Sequence, residues 1–413
     1  MDRCKLVLIN QFLLTVIFCY IASQPLQDQP QPLSYGYVDR SQDTPYSLSE
    51  AAKQAIRKTC EGGWCKQQSE ESIELRKEIK SLKTEQYLIS RYGNRQSAEV
   101  AAEAYLEKIQ STKRALFEAQ GILDIADPED SGLWAEDISL SEEQADEIVN
   151  WIRQQEKKMT DENGRRIRRN AVYFNSFSIF KWELPIPVRF IPGFSNEEML
   201  TIFEALNDIE SKTCVSFRQV GRNYIGSHIR LYPFRSKFYC GQSPVGRMRF
   251  FNGVYLNMDC PNMKTVTVHD LMHSLGIDHE QSRQDRHYFI DILWENINPQ
   301  NYDYFERSNM NIFTTYGTPY DYYSVVHYKA NTSTVTGERT MVATREPVET
   351  NTEAMGKRTD GLTDTDAEKI HRMYCKDKDC TDDDVFCGHW ANDGHCGPNN
   401  YVTENCRLSC GYC

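Results

Sequence analysis

Three histidines at a metal-binding spacing are the residues of this chain with the clearest chemistry. His269 and His273 are four positions apart, so on a helix both imidazoles lie on one face and can reach the same ion. Gly276 can end that helix with a positive φ and turn the chain back, which would bring in His279 as a third ligand. Structural zinc sites are usually closed by four protein ligands, whereas three histidines leave a position for water. The spacing therefore predicts one catalytic Zn²⁺.

The residues around these histidines resemble the signature of the astacin family of metzincin proteases, HExxHxxGxxHExxRxDR. From His269 to Arg286 the chain reads HDLMHSLGIDHEQSRQDR, which departs from that signature only at its second position. The resemblance continues through WENI (294–297), YDYYSVVHY (320–328) and GKRTDGLTDTDAEKIHRMYC (356–375). It implies a zinc endopeptidase that acts on extracellular proteins or peptides. It also implies that Tyr328 ligates zinc in the resting enzyme and helps to stabilise the oxyanion during catalysis.

Two departures from the family pattern concern the zinc site. Val326 stands where the family has a methionine beneath the ligands, and it keeps an apolar floor of smaller volume. Asp270 stands where the family has the glutamate that takes a proton from water and passes it to the leaving amine. Aspartate can do the same chemistry but is one methylene shorter, and a misplacement of about 1 Å can cost on the order of a hundredfold in rate.

The aspartate leaves two main hypotheses open: an endopeptidase of weakened activity, and a zinc-binding pseudoprotease that acts as an extracellular binding protein. A phosphohydrolase that uses the His269–Asp270 doublet is a third, and Gly276 and His279 argue against it.

An α+β fold is predicted for residues 170–375, the segment that positions these side chains. Short β-branched and aromatic runs such as IPVRFIP and SHIRLYPF, separated by Gly, Pro and Asn, are typical of strands. The resemblance implies a two-lobed metzincin domain with a twisted, mainly antiparallel sheet. The zinc-binding helix would lie in the upper lobe, above a cleft and a mostly irregular lower lobe.

A helical pro-segment is predicted to precede that domain, over residues 24–169. Residues 24–47 are rich in Gln and Pro and read as a flexible leader, whereas residues 48–158 carry apolar residues at three- and four-residue spacing among charges. Ser47 and Ser141 are typical helix N-cap residues. The stretch LWAEDI (133–138) is similar to the FxGD pattern by which astacin pro-peptides place an aspartate on zinc, with Asp137 at the matching position. An ordinary surface aspartate is the alternative.

A basic cluster marks the predicted processing site. Four of the five residues from 165 to 169 are arginine, between a polar helical segment and a hydrophobic one. We expect a processing protease to cleave between Arg169 and Asn170, although a solvated loop would have the same composition. In the family, the new N-terminus pairs through water with the glutamate that follows the third histidine, which is Glu280 in this chain.

The first residues predict secretion. Arg3 and Lys5 precede an apolar run from Leu6 to Ile21, followed by small residues, as in a signal peptide over 1–23. A membrane anchor is the alternative, but the run is short of the ~20 residues needed to span a bilayer. No other stretch is long enough to span a membrane. A net charge of −12 without a long Lys/Arg stripe argues against a nucleic-acid partner.

The cysteines predict a disulfide framework. Removing Cys4 and Cys19 with the signal peptide from the 14 cysteines leaves twelve, an even number for an oxidising compartment. Cys60 and Cys65 could form a small-loop disulfide or a redox pair. The resemblance to the family implies the pairs Cys214–Cys375 and Cys240–Cys260.

The last 34 residues, 380–413, form a separate module. Six cysteines in a segment with little apolar material resemble the ShKT module, whose pairing would join Cys380–Cys413, Cys387–Cys406 and Cys396–Cys410. No lysine lies in this segment, which favours an accessory role over that of a channel ligand. Asn331, in the sequence NTS, is a possible glycosylation site.

Overall fold

A computed structural model describes residues 48–90, 92–158, 181–308, 315–375, 387–392, 394–398, 401–407, 410 and 412. The predicted signal peptide, the predicted leader and the basic cluster lie outside these residues. Among the helices described, none is long and apolar enough to cross a membrane.

In its described residues, the predicted pro-segment contains four α-helices: α1 (Glu50–Thr59), α2 (Glu70–Ser90), α3 (Arg95–Ala119) and α4 (Glu142–Lys158). The central helix α3 packs against both α2 and α4. Helix α4 begins directly after Ser141, whose side chain accepts a hydrogen bond from the backbone of Gln144 at 3.1 Å. Helix α1 is capped by Ser49, whereas the predicted cap Ser47 lies outside the described residues.

A six-stranded sheet in the order β1-β5-β6-β4-β2-β3 lies at the centre of the fold. Its strands are β1 (Ile138–Ser139), β2 (Ile186–Phe190), β3 (Phe217–Gln219), β4 (His228–Phe234), β5 (Gly241–Pro244) and β6 (Phe251–Asn257). Helix α5 (Asn196–Lys212) connects β2 to β3, and α6 (Met263–Leu275) follows β6. The predicted α+β class is confirmed.

The strand directions differ from the expectation of a mainly antiparallel sheet. Only the hairpin of β5 and β6 is antiparallel, and the pairs β1–β5, β2–β3, β2–β4 and β4–β6 are all parallel. The crossover helix α5 allows β2 and β3 to run in the same direction. The chain also reverses twice, once after β4 and once after β5, so that β6 returns beside β4 in the same direction.

The remaining elements form the C-terminal half and the tail. A separate antiparallel pair joins β7 (Ile290–Ile292) to β8 (Met341–Ala343), with helices α7 (Val348–Ala354) and α8 (Asp364–Tyr374) after it. The tail contains α9 (Cys387–Asn392) and α10 (Tyr401–Asn405).

Two hydrophobic cores support these elements. The sheet core joins the inner face of the sheet to α5, α6 and α8, and all its buried members lie between Trp182 and Met373. The shared core combines buried residues of the predicted pro-segment, such as Phe117 and Leu133, with Tyr302 and Phe305. The latter two belong to residues 170–375, the predicted catalytic domain, which we call the catalytic half. The pro-segment is therefore packed into the fold as part of a common core.

Candidate metal centre

Helix α6 and the turn after it position the three predicted ligands. The helix ends at Gly276, whose φ of 106° lies in the left-handed region, as the sequence predicts. The N–H of Gly276 donates to the carbonyl of His273 at 2.8 Å, and that of Ile277 to Met272 at 3.1 Å. A side chain at position 276 would also meet Met373 at 2.9 Å. The chain can therefore turn back here, which carries His279 toward the helix.

The structure brings His269, His273 and His279 together with Asp137 of the pro-segment, with one ligand atom of each residue within 4.8 Å of the others. Asp137 Oδ2 lies 2.8 Å from His269 Nε2, and Asp137 Oδ1 lies 3.1 Å from His279 Nε2. The Nε2 atoms of His269 and His273 are 2.9 Å apart. Four residues that the sequence analysis singled out on two distant segments thus meet at one point.

The outer nitrogens of two of these rings are held by the backbone. His269 Nδ1 lies 2.7 Å from the carbonyl of Val325, and His273 Nδ1 lies 2.8 Å from that of Ile277. A carbonyl accepts a hydrogen bond from Nδ1–H and leaves Nε2 with its lone pair free, which is the tautomer that a metal ligand requires.

The donor set fits Zn²⁺. Three imidazole nitrogens and one carboxylate oxygen are the ligand types that zinc prefers. His279 Nε2 and Asp137 Oδ1 are 3.1 Å apart, yet within the described residues neither of these buried atoms has a hydrogen-bond partner. The two atoms do not aim at each other, as expected of donors that converge on a common centre.

The charges at the centre are strongly coupled. Burial alone would raise the pKa of Asp137, but the imidazoles of His279 and His269 hold it well below its usual value. Burial would lower the pKa of His269, and Asp137 instead raises it to about 9. Burial and the neighbouring imidazoles lower the pKa of His273 well below its usual value. The cluster therefore holds one carboxylate charge that favours a cation beside it.

Asp270 lies on the same helix, against strand β5. Its side chain is buried at 1% exposure, and neither of its oxygens has a hydrogen-bond partner in the described part of the chain. Burial raises its pKa well above the usual value, with His269 opposing and Asp137 adding to that effect. A Cβ at Gly241 of β5 would lie 1.8 Å from Asp270 Oδ2, so only glycine leaves room for the carboxyl group. Gly241 cannot be recognised from the sequence, because nothing local marks this glycine among the 22 of the chain.

Val326 and Tyr328 lie close to the segment that carries the third histidine. Val326 is fully buried, and its carbonyl accepts a hydrogen bond from the N–H of Glu280 at 3.1 Å. The ring of Tyr328 packs on His279 with centroids 4.2 Å apart. Its hydroxyl accepts a hydrogen bond from the N–H of Glu136 at 3.3 Å, so the pro-segment backbone holds this tyrosine.

Known proteins resemble this chain over most of its length. Residues 175–375 match the family described as Astacin, a peptidase family, and residues 379–413 match the ShK domain-like family. Zinc metalloproteinase nas-10 of Caenorhabditis elegans is 31% identical over 372 residues, which cover 89% of this chain and 68% of that protein. Zinc metalloproteinase nas-9 of the same organism is 32% identical over 390 residues, covering 92% and 70%. This chain belongs to the astacin family.

Among solved structures, the match includes high choriolytic enzyme 1, a hatching enzyme zinc-protease from Oryzias latipes. It is 26% identical with a TM-score of 0.42, and the match covers 48% of this chain and 95% of that one. Astacins are zinc metalloendopeptidases, and the cluster of three histidines and Asp137 is the part of this astacin that can hold the ion.

The pro-segment also adds a strand beside the zinc helix of this astacin. Strand β1 directly follows Asp137 and pairs in parallel with β5, which places Ile138 beside Ser243. The N–H of Ser243 donates to the carbonyl of Asp137 at 3.1 Å. This strand cannot be predicted from the sequence, because two residues are too few for a periodic signal.

Glu280, which follows the third histidine, is buried at 1% exposure. Its carboxylate accepts hydrogen bonds from Lys369 at 2.5 Å and Arg283 at 2.9 Å. Burial would raise the pKa of Glu280, but these two cations lower it to about 2. A cavity of about 40 Å³ adjoins Glu280 and Lys369, with Tyr316 in its wall. The pairing of Lys369 with Glu280 cannot be predicted from the sequence, because Lys369 lies on α8, 89 residues after Glu280.

Disulfide bonds lie in the pro-segment, in the catalytic half and in the tail of this astacin. The structure joins the pairs Cys60–Cys65, Cys214–Cys375, Cys240–Cys260, Cys387–Cys406 and Cys396–Cys410. Cys380 and Cys413 lie outside the described residues, as do Arg169 and Asn170. Asn331 is exposed, so the sequon is accessible.

Proposed function

We propose that this chain is a secreted astacin zinc endopeptidase in its latent form, with a signal peptide over 1–23, a pro-segment over 24–169, a catalytic domain over 170–375 and an accessory ShKT module over 380–413. One observation carries the proposal. Asp137 contacts two of the three histidines, and the residues after it form β1 on the edge of the sheet. The pro-segment thus supplies a fourth ligand and also occupies the strand position beside the zinc helix.

The disulfides support secretion. The catalytic half and the tail each contain disulfides, which persist in oxidising compartments and are rare in the cytosol. The substrates would then be extracellular proteins or peptides.

In the proposed peptide hydrolysis, the zinc ion and the side chains of the protein have separate roles. Zinc, when bound, polarises the scissile carbonyl and acidifies water. Asp270 would take the proton of the attacking water and pass it to the leaving amine. Tyr328, once released from the backbone of Glu136, would donate its hydroxyl hydrogen bond to the oxyanion.

Processing between Arg169 and Asn170 would remove the fourth ligand and create a new N-terminus. We propose that the amino group of Asn170 then pairs with Glu280 through water. The cavity beside Glu280 supports this proposal, because about 40 Å³ is enough to hold a water molecule. Glu280 already forms an ion pair with Lys369. The amino group of Asn170 would therefore add a second positive charge beside this pair.

A pseudoprotease remains the second candidate function. The observation that favours it is Asp270 itself: the carboxyl group is one methylene shorter than glutamate, is buried, and packs against Gly241. A base that cannot reach the attacking water would leave zinc binding intact and remove efficient cleavage. The protein would then bind peptides or partners without cutting them.

The deciding experiment compares the processed wild type with Asp270→Glu and Asp270→Asn, at equal zinc content, on a broad peptide library. If aspartate is a working base, the wild type cleaves and Asp270→Asn loses about a hundredfold or more. Cleavage by Asp270→Glu alone would assign the natural protein to the pseudoproteases. Equal zinc content and equal thermal midpoints of the three proteins exclude a trivial loss of fold.

A further inference from the structure

The outer face of the sheet carries an arginine cluster that the zinc site does not use. Arg189 on β2 and Arg230 on β4 are direct partners in the parallel register, and Arg218 on β3 pairs with the residue two positions before Arg189. Residues two apart on a strand share a face, so the three side chains cross three adjacent strands spaced about 4.8 Å apart. Arg222 lies in the loop that leads from β3 to β4. We call these four residues the arginine face.

The side chains that alternate with the arginine face point the other way. Val188 and Ile229, the neighbours of Arg189 and Arg230, are buried in the sheet core. Arg218 and Arg222 are exposed, and Arg189 and Arg230 are half-buried. The face is therefore open to solvent on the side away from α5 and α6.

No carboxylate neutralises this cluster within the described residues. Other exposed arginines do contact a carboxylate: Arg57 contacts Asp124, and Arg95 contacts Glu85. None of the four residues of the arginine face takes part in a described ion pair. In a chain of net charge −12, this is a local concentration of positive charge.

The arginines repel one another. Burial and the charges of Arg230 and Arg222 lower the pKa of Arg189. Burial and the charges of Arg230 and Arg189 also lower the pKa of His228 on the same face. Clustered like charges without a counter-ion cost stability, and a bound anion would relieve that cost.

Aromatic and imidazole groups hold two of the guanidinium groups in place. Arg230 lies 3.7 Å from the ring centroid of Phe251, and its Nε donates to His228 Nε2 at 2.9 Å. Arg218 lies 5.5 Å from the ring centroid of Tyr224. A guanidinium that is already oriented loses less entropy when it binds an oxyanion through its planar fork.

We propose that the arginine face binds a linear sulfated polysaccharide of the extracellular matrix, which would hold the enzyme near its substrates. A row of guanidinium groups across neighbouring strands complements a chain that carries oxyanions at intervals. A protein partner fits less well, because it would have to bring a carboxylate to each of the four guanidinium groups, whereas a sulfated chain carries oxyanions along its whole length. The inference goes beyond the proposed peptidase activity and requires only that the chain be secreted.

The test uses the full-length, unprocessed protein and a heparin-type sulfated oligosaccharide as the probe, with affinity measured over a range of salt concentrations. We expect Arg218→Ser/Arg222→Ser to weaken binding about tenfold or more at low salt and to reduce the slope of log K against log salt by about two. The matched control is Arg57→Ser/Arg95→Ser. It removes the same charge from exposed, ion-paired positions and should bind like the wild type.

Three outcomes would overturn the proposal: no binding of the sulfated probe by the wild type, equal losses in the face and control variants, or binding of polyglutamate as tight as that of the sulfated probe. The last outcome would point to an acidic protein partner. Neither zinc nor cleavage enters the measurement, so its result does not depend on whether Asp270 is a working base.

Discussion

Asp137 is the residue on which the proposed latency rests. It is the only carboxylate among the metal-binding residues that the described part of the chain brings together, and it lies 132 positions from His269 in sequence. Its neighbour Glu136 holds Tyr328 through a backbone hydrogen bond. Two adjacent pro-segment residues therefore restrain two groups of the catalytic site.

Replacing Asp137 by asparagine should open the zinc site without removing the pro-segment. An amide oxygen is a weaker zinc ligand than a carboxylate, so we expect a hydroxamate to bind zinc-loaded Asp137→Asn about tenfold more tightly than the unprocessed wild type. The control is Asp146→Asn on α4, whose carboxylate is exposed and contacts Lys108. Unchanged hydroxamate affinity in Asp137→Asn would show that the Asp137 carboxylate does not compete with the hydroxamate for zinc.

At the scale of elements, helix α3 is fixed to the catalytic half by a buried ion pair. Lys113 Nζ lies 2.9 Å from Asp303 Oδ2, with both side chains at 0% exposure, and it also donates to the carbonyl of Glu129 at 3.2 Å. The ring of Phe117, one turn further along α3, meets Tyr302 edge-on at 5.7 Å. The pair joins residues 190 positions apart, so it stabilises the docking of the pro-segment.

The pH dependence of this pair has a definite sign. Burial raises the pKa of Asp303 to about 6, with Lys113 opposing and Glu129 adding to the shift. The folded chain thus binds this proton more tightly than the unfolded chain does. The contribution of Asp303 to stability is greatest below its ordinary pKa of about 4 and is lost as the pH rises to about 6.

Removing Lys113 should make the free energy of unfolding depend more strongly on pH. Lys113→Met leaves the carboxylate buried without a cation and should cost about 3 to 5 kcal/mol near pH 7.5, but less at pH 5, where Asp303 is protonated. Urea unfolding at both pH values measures this difference. The double variant Lys113→Met/Asp303→Leu should recover most of the loss.

The control for this variant is Lys237→Met. Lys237 contacts Glu74 of α2 at 2.6 Å and also bridges the pro-segment to the catalytic half, but both side chains are exposed. We expect no measurable change there. An equal effect at the two sites, or no pH dependence in Lys113→Met, would contradict the role given to Asp303.

At the scale of the whole molecule, the two cores depend differently on the pro-segment. The shared core contains pro-segment residues beside Tyr302, Phe305 and the strand pair β7–β8, whereas the sheet core contains none. Burial of apolar surface is the main stabilising contribution to such contacts. Loss of the pro-segment should therefore lower the stability of the region around Tyr302, Phe305 and the β7–β8 pair more than that of the sheet core.

Hydrogen exchange can measure this asymmetry. After cleavage and removal of the pro-segment, amides in 290–305 should exchange at least about tenfold faster, because local opening there no longer breaks contacts with the pro-segment. Amides of α5 and of β4 form the internal control and should change little. Equal acceleration in both halves would show that the pro-segment stabilises the fold globally instead.

Local features of the sequence determined much of the site. His269 and His273 follow from the helical period, and the turn at Gly276 follows from the freedom of glycine at positive φ. The capping of α4 by Ser141 is likewise a contact between near neighbours in the chain. Such features depend on interactions within a few residues, and a reader of the sequence can therefore predict them.

The tertiary structure alone decided the rest. The room that Gly241 leaves for Asp270, the pairing of Lys369 with Glu280 and the burial of Lys113 against Asp303 all join distant segments. The strand directions depend on the order in which the strands pair, and here the expectation of a mainly antiparallel sheet was wrong. Alternation along a strand and the helical period are the same in a parallel and in an antiparallel sheet. Both patterns show which face of an element is buried, but they do not show which neighbouring element covers that face.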